Sequence, residues 1–302
     1  MKLCRFVEDR PAPAGGDDRL GLVEGDDVLD VSAALDLIAS QRWPIAPGDP
    51  LILNLARVAE RAKALAGSAP RRRLSTVKLR SPIANPTKIV NAPINYQAHI
   101  DEAQKDQGIA HGRDLSKGKG IWDWGLFLKA TSALIGPGEE IRLRFPERRN
   151  DHEVELAVVI GERCNHVKQE DALRCVAGYA IGLDMTIRGP ELQCFRKSPD
   201  TYAVCGPWLV TKDEIPNPNN LDLSLRVNGE LRQSSNTRWL VYNVERLIEY
   251  ATSFYTLHPG DLIFTGTPEG VGPVKPGDLI TAEIERVGRF DIRVADKYDQ
   301  SF

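Results

Sequence analysis

The 302-residue chain lacks long apolar runs and has no excess of basic residues. No stretch approaches the roughly 18 apolar residues that a membrane-spanning helix needs, so we expect no membrane span. The net charge of -3 provides no basic patch for nucleic acid. The first ten residues turn charged too soon for the apolar core of a signal peptide, so we expect a cytoplasmic protein.

Cysteine is also scarce. The five cysteines are odd in number, and no two of them have the C-x-x-C spacing. A disulfide framework needs pairs, and a zinc or redox motif needs close spacing. We therefore interpret all five as free thiols in a reducing compartment.

What is present is a composition typical of a soluble globular chain, with 42% hydrophobic and 27% charged residues. Residues 1–80 predict short strands, a hairpin and a helix, without a catalytic constellation. We interpret them as a small α+β cap domain that packs on the main domain. The motifs that carry chemistry all lie in residues 81–302, which we interpret as the catalytic domain.

Three acidic residues lie in or beside two predicted strands. Glu153 and Glu155 are two residues apart in a β-branched run, so they share one face and lie roughly 7 Å apart. Asp184 stands alone in the next apolar run, where an unpaired carboxylate is costly. One cation bound by all three would resolve both the repulsion and the burial cost. Carboxylate ligands favour Mg²⁺, with Mn²⁺ and Ca²⁺ as alternatives, over zinc.

The simpler interpretation of Glu153 and Glu155 is a solvated strand face, and the pair by itself does not exclude it.

A second pair, His99 and Glu102, is spaced three residues apart on a predicted helix and can be in contact. A carboxylate beside a histidine raises its basicity, as a general base that activates water requires. The alternative for this pair is a surface ion pair.

Further polar residues are candidates for substrate binding. Arg188 follows Asp184 closely enough to hold a substrate carboxylate, and Lys197, in a predicted loop, could stabilise an oxyanion. Thr267 lies in a glycine-rich loop and offers a hydroxyl and an amide to an anion. Lys129, at the end of a predicted strand, and Tyr96, at the start of the dyad helix, complete this set.

The polar, glycine-rich segment 104–124 is long for an irregular connection in a compact domain. It is interpreted either as a lid that orders over substrate or as a disordered insertion.

Taken in order, the motifs H-x-x-E, strand lysine, E-x-E, D-x-T-x-R, K-S and Gly-Thr-Pro-x-Gly-Val-Gly resemble the fumarylacetoacetate hydrolase superfamily, in particular its acylpyruvase-like branch. The resemblance runs from about Lys88 to Val294. It implies a mainly β fold with some α, a mixed β-sandwich roll, and a homodimer.

The resemblance also implies roles for the candidate residues. Glu153, Glu155 and Asp184 match the metal carboxylates of the family, and His99 with Glu102 matches its water-activating dyad. The substrate and charge-stabilising positions are matched by Lys129, Arg188, Lys197 and Thr267. This sequence departs from many relatives at residues 189–191 and at Ala130, which puts the identity of the substrate, and not the metal, in question.

The function that this resemblance implies is metal-dependent hydrolysis of a C–C bond in a 2,4-dioxo acid, which gives pyruvate and a carboxylate. The alternative is an isomerase or decarboxylase of an unsaturated 2-hydroxy or 2-oxo dioate in aromatic catabolism. Hydrolysis needs an activated water and decarboxylation does not, so the dyad favours hydrolysis. A binding module without turnover is the non-enzymatic alternative.

Overall fold

A computed structural model describes residues 1–8, 18–110 and 121–295. Strands dominate these residues, as the sequence predicts, and the longest helices have 11 residues. None of the helices in the described part of the chain is both long and apolar enough to cross a membrane.

The described strands are β1 (Lys2–Glu8), β2 (Arg19–Glu24), β3 (Asp27–Asp30), β4 (Arg71–Arg73), β5 (Val77–Arg80), β6 (Ile89–Asn91), β7 (Phe127–Lys129), β8 (Leu134–Ile135), β9 (Glu140–Ile141), β10 (Asn150–His152), β11 (Val154–Ile160), β12 (Val176–Asp184), β13 (Thr186–Ile187), β14 (Ala203–Thr211), β15 (Asp222–Val227), β16 (Glu230–Asn236), β17 (Leu262–Phe264), β18 (Gly272–Pro273), β19 (Leu279–Ile284) and β20 (Gly288–Val294). The described α-helices are α1 (Pro50–Leu53), α2 (Leu55–Leu65), α3 (Gln97–Lys105), α4 (Gln107–Ala110), α5 (Ile121–Trp124), α6 (Gln193–Lys197) and α7 (Val244–Phe254). Short 3-10 helices cover Ser32–Leu37, Leu74–Thr76, Thr131–Ala133, Gln169–Cys175, Lys212–Glu214 and Thr237–Trp239.

The largest sheet has the strand order β4-β3-β2-β1-β14-β12-β11-β17-β6-β7, with β5 paired to β1 and β8 paired to β14. Its centre is the antiparallel pair β11 and β12, in which Val154 lies opposite Leu183. This register brings Glu153, just before β11, next to Asp184 at the end of β12. The two strands are buried along their whole length, so the acids at their ends are withdrawn from water.

Both faces of β11 are covered, and by different parts of the chain. Val154, Leu156 and Val158 belong to the main apolar core, which also holds the inward residues of the five-stranded sheet β16-β15-β19-β20-β9. Ala157 and Val159 belong to a second cluster with Phe264. The alternation that the sequence predicts is therefore present, and the fold is a sandwich of open sheets. A three-stranded sheet, β13-β10-β18, lies beside the acids, because β10 ends at His152, directly before Glu153, and β13 begins at Thr186, two residues after Asp184.

The N-terminal residues have an apolar cluster of their own, to which α2 contributes Val58 and Ala62. They are nevertheless continuous with the large sheet, because Leu3 of β1 pairs with Leu209 of β14. The domain boundary at residue 80 stays a prediction.

Candidate active site

The three acidic residues meet at the end of the central strand pair. The Asp184 N–H donates to the Glu153 carbonyl over 2.9 Å, which fixes the end of β12 against the start of β11. Glu153, Glu155 and Asp184 are all buried, and one carboxylate oxygen from each lies within 4.8 Å of the others. Oxygen ligands of Mg²⁺, Mn²⁺ or Ca²⁺ lie about 2.0–2.6 Å from the ion, so oxygens around one ion are at most about 5 Å apart. The three acids therefore fit a divalent cation.

Two of these acids are held by basic side chains. The Lys197 ammonium donates to Glu153 Oε2 over 2.7 Å and to Asp184 Oδ2 over 2.6 Å. Arg188 donates to Glu153 Oε1 over 2.8 Å, and Lys129 donates to Asp184 Oδ1. Burial opposes ionisation of Glu153, but Lys197 and Arg188 outweigh it and lower the pKa of Glu153 to about 2.

The two lysines respond differently to the same surroundings. Burial would lower the pKa of Lys197, but the charges of Asp184 and Glu153 prevail and raise it. For Lys129 burial prevails over Asp184, and its pKa is lowered. Lys197 is therefore the more firmly protonated ammonium at the acids, as a residue that stabilises negative charge must be.

Glu155 is the exception among the acids. Of the residues that the structure describes, none places an ammonium or guanidinium group within salt-bridge distance of Glu155, whose Oε2 accepts the Gly266 N–H over 2.5 Å. Burial, and then the charges of Asp184 and Glu153, raise the pKa of Glu155 well above its ordinary value. A divalent cation is the partner that would keep this carboxylate ionised, which is a second reason why the acids fit one.

The predicted dyad lies on α3. His99 Nδ1 and Glu102 Oε2 are 2.9 Å apart, and Glu102 Oε1 accepts the Gly270 N–H over 2.9 Å. A proton on Nδ1 faces the carboxylate, which leaves the lone pair of Nε2 available as a base. His99 is buried, with 4% of its surface exposed, so the surface ion pair does not describe this histidine.

One cavity of about 70 Å³ is lined by His99 of the dyad and by Glu153 of the acids, together with Arg188 and Lys197. At about 15 Å³ per water molecule it has room for roughly five waters, close to the size of a pyruvate unit. Trp124 and Ile109 line it as well, from the helices α5 and α4 that flank residues 111–120. Within segment 104–124, residues 111–120 lie outside the described part of the chain, and the helices α4 and α5 occupy most of the remainder, so the lid stays a prediction.

Two other predicted substrate contacts, Thr267 and Tyr96, do not line this cavity. The Thr267 hydroxyl donates to the Val154 carbonyl over 2.9 Å, so it is already engaged with the backbone. Tyr96 is buried, and its hydroxyl has no hydrogen-bond partner among the residues that the structure describes. Burial and the charges of Glu155 and Glu269 raise the pKa of Tyr96. Neither residue lines the cavity, and their roles in substrate binding stay predictions.

Two site residues were not predicted from the sequence. Asp151 is fully buried and accepts from Arg188 Nε and from Arg149 Nε, each over 2.8 Å, so it fixes the guanidinium of Arg188. The sequence indication for Asp151 was its position as a charged residue just before the predicted strand that carries Glu153 and Glu155.

The second of these residues is Gln233 of β16, which is 1% exposed. Its carbonyl accepts from Val154 N and pairs with His152 Nδ1, each at 3.1 Å. Its amide donates to Thr267 Oγ1 over 2.8 Å and to the Pro268 carbonyl over 2.9 Å. The surrounding sequence, Glu230–Asn236, has the polar pattern of an exposed hairpin strand and gives no signal for this buried amide.

Comparison with known proteins adds to this geometry. Residues 88–295 match the family model described as fumarylacetoacetate (FAA) hydrolase C-terminal. A maleylpyruvate hydrolase of Aquipseudomonas alcaligenes is 53% identical over 294 residues, which cover 97% of this chain and 99% of that protein. A mitochondrial oxaloacetate tautomerase of Bos taurus is 35% identical over 303 residues, which cover 95% of this chain and 90% of that protein.

Among solved structures, a maleylpyruvate hydrolase from Sphingobium sp. SYK-6 in complex with manganese(II) ion and pyruvate superposes with a TM-score of 0.79. It is 38% identical, and the match covers 98% of this chain and 99% of that one.

Proposed function

The chain belongs to the fumarylacetoacetate hydrolase family, and from that premise we propose that it cleaves maleylpyruvate to pyruvate and maleate. It is an enzyme of the acylpyruvate-hydrolase type, which breaks a C–C bond of a 2,4-dioxo acid with the aid of a divalent cation. The observation that carries the proposal is the cavity in which the His99 dyad faces Glu153 and Lys197. Its size suits the pyruvate half of the substrate.

Glu153, Glu155 and Asp184 would hold the cation, which when bound supplies Lewis acidity to the 2-oxo acid end of the substrate. His99, oriented by Glu102, takes a proton from a water molecule, and the water oxygen attacks the C4 carbonyl. The Lys197 ammonium stabilises the oxyanion that forms at C4. The C3–C4 bond then breaks, its electron pair forms the enolate of pyruvate, and a proton returned to C3 completes the two products.

The test is release of pyruvate from a panel that contains maleylpyruvate, fumarylpyruvate and acetylpyruvate, in the presence of Mn²⁺. We expect maleylpyruvate to have the highest kcat/KM and EDTA to abolish turnover. Full activity after exhaustive chelation would refute the role of the cation, and no pyruvate from any member of the panel would refute the proposal.

Replacement of the dyad gives a second test. We expect His99→Ala to lower kcat by roughly 10²–10⁴-fold, because general-base catalysis by a positioned side chain contributes about that much. Thermal stabilisation by Mn²⁺ should persist, since His99 is not one of the three acids. Asp101→Asn is the matched control, because Asp101 is an exposed residue of the same helix that accepts from Gln97. Unchanged turnover in the His99 variant would exclude the dyad.

A second candidate is keto–enol tautomerisation of a 2-oxo dioate, which the similarity to an oxaloacetate tautomerase favours. Tautomerisation needs no attacking water, so it would survive His99→Ala if another group moves the proton. Parallel assays of oxaloacetate enol decay and of pyruvate release therefore separate the two reactions.

We propose Mg²⁺ as the physiological cation, with Mn²⁺ able to replace it, because an all-carboxylate site accepts either. Activity and thermal shift across a Mg²⁺, Mn²⁺ and Ca²⁺ series test this choice.

We further propose a homodimer. Exposed apolar residues at Leu231 and Trp239 line a groove of about 1080 Å³ between α3 and the five-stranded sheet, and a second copy would cover them. Light scattering of the protein and of Trp239→Glu tests this.

The free thiols of all five cysteines favour a cytoplasmic location, which fractionation of the native host would test.

A further inference from the structure

A row of ion pairs connects a carboxylate of the cation site to the residue that follows the dyad helix α3. Arg188, which lines the cavity, donates to Glu153 Oε1 and to Asp151 Oδ2, each over 2.8 Å. Asp151 Oδ1 accepts from Arg149 Nε, and Arg149 Nη1 donates to Asp106 Oδ2, again each over 2.8 Å. Charges alternate along this row, so each inner side chain lies between two of opposite charge. We call these five residues the ion-pair relay.

The relay is anchored at its inner end. Asp151 and Arg188 are buried, whereas Arg149 and Asp106 are half-buried. An exposed ion pair by itself contributes little to stability, but a buried carboxylate that loses one of its basic partners is costly. The backbone adds a further bond, because the Arg188 N–H donates to the Arg149 carbonyl over 2.8 Å. Arg149 is therefore fixed at Asp151, and from there its guanidinium reaches Asp106.

Asp106 in turn holds the short helix α4, which contributes Ile109 to the cavity wall. Its Oδ1 accepts the Gly108 N–H over 2.8 Å, and its carbonyl accepts the Ile109 N–H over 2.9 Å. A helix of four residues is not stable by itself. Ile109 also packs in a small apolar cluster with Ile94 and Ala103. The place of this part of the wall therefore depends on Asp106 together with that cluster.

Gly108 lies close against the relay. A Cβ at this position would lie 2.6 Å from Arg149 Nη1 and 3.0 Å from Asp106 Oδ1. The first of these distances is too short for a Cβ, so the guanidinium would have to move away. Glycine at position 108 therefore allows Arg149 to reach Asp106, although alanine would favour a helix there.

We propose that Arg149 is a positioning residue for the reaction, which holds Arg188 in place through Asp151 and the α4 wall of the cavity in place through Asp106. Arg149 itself does not line the cavity, so it acts through these neighbours. Its loss leaves the dyad and the three acids with their own contacts, so we expect the effect on substrate binding and not on the chemical step. The kinetic test of this inference rests on the proposed function, whereas its structural test does not need turnover.

The kinetic experiment compares Arg149→Met with the native enzyme on maleylpyruvate in the presence of Mn²⁺. Methionine keeps the apolar stem and removes both ion pairs, so we expect KM to rise about tenfold and kcat to change by less than about threefold. The Kd of Mn²⁺, measured by thermal shift, should stay within about threefold of the native value, because Glu153 and Asp184 keep their lysine contacts. Arg174→Met, at an exposed arginine paired locally with Asp171, is the control and should leave all three values unchanged.

The structural experiment measures hydrogen exchange of the backbone amides at residues 108 and 109 without substrate. We expect exchange about tenfold faster in Arg149→Met, because Asp106 loses the partner that holds it. Gly108→Ala keeps every charge of the relay and serves as the second variant if Arg149→Met does not fold. It should raise KM and speed exchange at residue 109 in the same way. If α4 were held only by local structure, this variant would instead exchange more slowly, since alanine favours a helix.

Native KM and native exchange in both variants would overturn the inference. Faster exchange without a rise in KM would also overturn it, because Arg149 would then have no part in substrate binding. No pyruvate release from maleylpyruvate by the native enzyme would instead refute the proposed function, and exchange at residues 108 and 109 would still decide whether the relay positions α4.

Discussion

Glu155 differs from the other two acids because, among the described residues, it accepts a backbone N–H and has no basic side chain within salt-bridge distance. Its raised pKa means that the folded state holds the proton more tightly than the unfolded chain does. The stability that this proton contributes is present below the ordinary carboxyl pKa and is lost as pH rises towards the folded pKa. The loss is about 1.4 kcal/mol per pH unit.

Because the raised pKa makes the ionised form of Glu155 unfavourable in the folded protein, we predict that Glu155→Gln stabilises the protein when no cation is bound. In EDTA at neutral pH the variant should melt higher than the native protein, by roughly 5 °C, since a neutral amide can still accept the Gly266 N–H. With Mn²⁺ at about 100 times its Kd the native protein should gain about 2.7 kcal/mol, and the variant much less. Calorimetry with and without EDTA measures both, with the exposed Glu283→Gln as the control. A variant that melts lower in EDTA would contradict the prediction.

At the residue scale, spacing predicted that Glu153 and Glu155 share a face and that His99 can be in contact with Glu102, whereas the roles of these residues came from the family resemblance and stay predictions. Two residues apart on a strand, or three on a helix, places side chains on one face whatever the fold. The sequence placed Lys197 in a loop, but in the structure it is the last residue of the helix α6. A helix of five residues is too short to show an apolar period, so the sequence could not indicate it. Gln233 could not be predicted, since only the tertiary fold buries a polar residue of an exposed-looking segment.

At the element scale, the loop between β17 and β18 joins the two halves of the site. The Gly266 N–H donates to Glu155 at one end, and the Gly270 N–H donates to Glu102 at the other. Gly270 has a φ of +89°, and a Cβ there would lie 2.0 Å from the Arg232 carbonyl oxygen. Only glycine fits this position, so the glycine pattern in the sequence reflects packing against β16 as well as access for a ligand.

Gln233 holds the middle of this loop, and we predict that Gln233→Glu impairs both halves of the site. A carboxylate in place of the amide cannot donate to Thr267 and Pro268 and would face their oxygens instead. The loss of two buried bonds should cost about 2–4 kcal/mol, or a melting temperature lowered by roughly 5 °C. Turnover should fall at least about tenfold, and the affinity for Mn²⁺ should weaken with it.

The control for this variant is Ser234→Ala, at an exposed neighbour on the same strand. Calorimetry, steady-state kinetics and a Mn²⁺ titration give the three readouts. Normal Mn²⁺ affinity and normal turnover in a destabilised Gln233 variant would limit the residue to a structural role.

At the scale of the whole molecule, the resemblance predicted the sandwich, and the strand-rich pattern agreed with it. The pairing of β1 with β14 was not predictable, because a strand pattern does not name its partner across 200 residues. The N-terminal segment therefore both has its own apolar cluster and extends the catalytic sheet.

This pairing predicts the result of truncation. A chain of residues 81–302 would expose the part of the β14 edge at Leu209 and Val210 that pairs with β1, and unpaired edges promote aggregation. We expect the truncated chain to be largely aggregated on size-exclusion chromatography, under conditions in which the full chain elutes as one species. A monodisperse and active truncated chain would show that residues 81–302 fold independently.

The contacts of Gly266 and Gly270 have a practical consequence for engineering. Because one short loop touches both a cation carboxylate and the dyad, directed evolution for new acyl groups would find few tolerated changes there. The helix α6 makes neither of these amide contacts, and its residue Gln193 lines the cavity, so libraries that alter the accepted acyl chain are best built there.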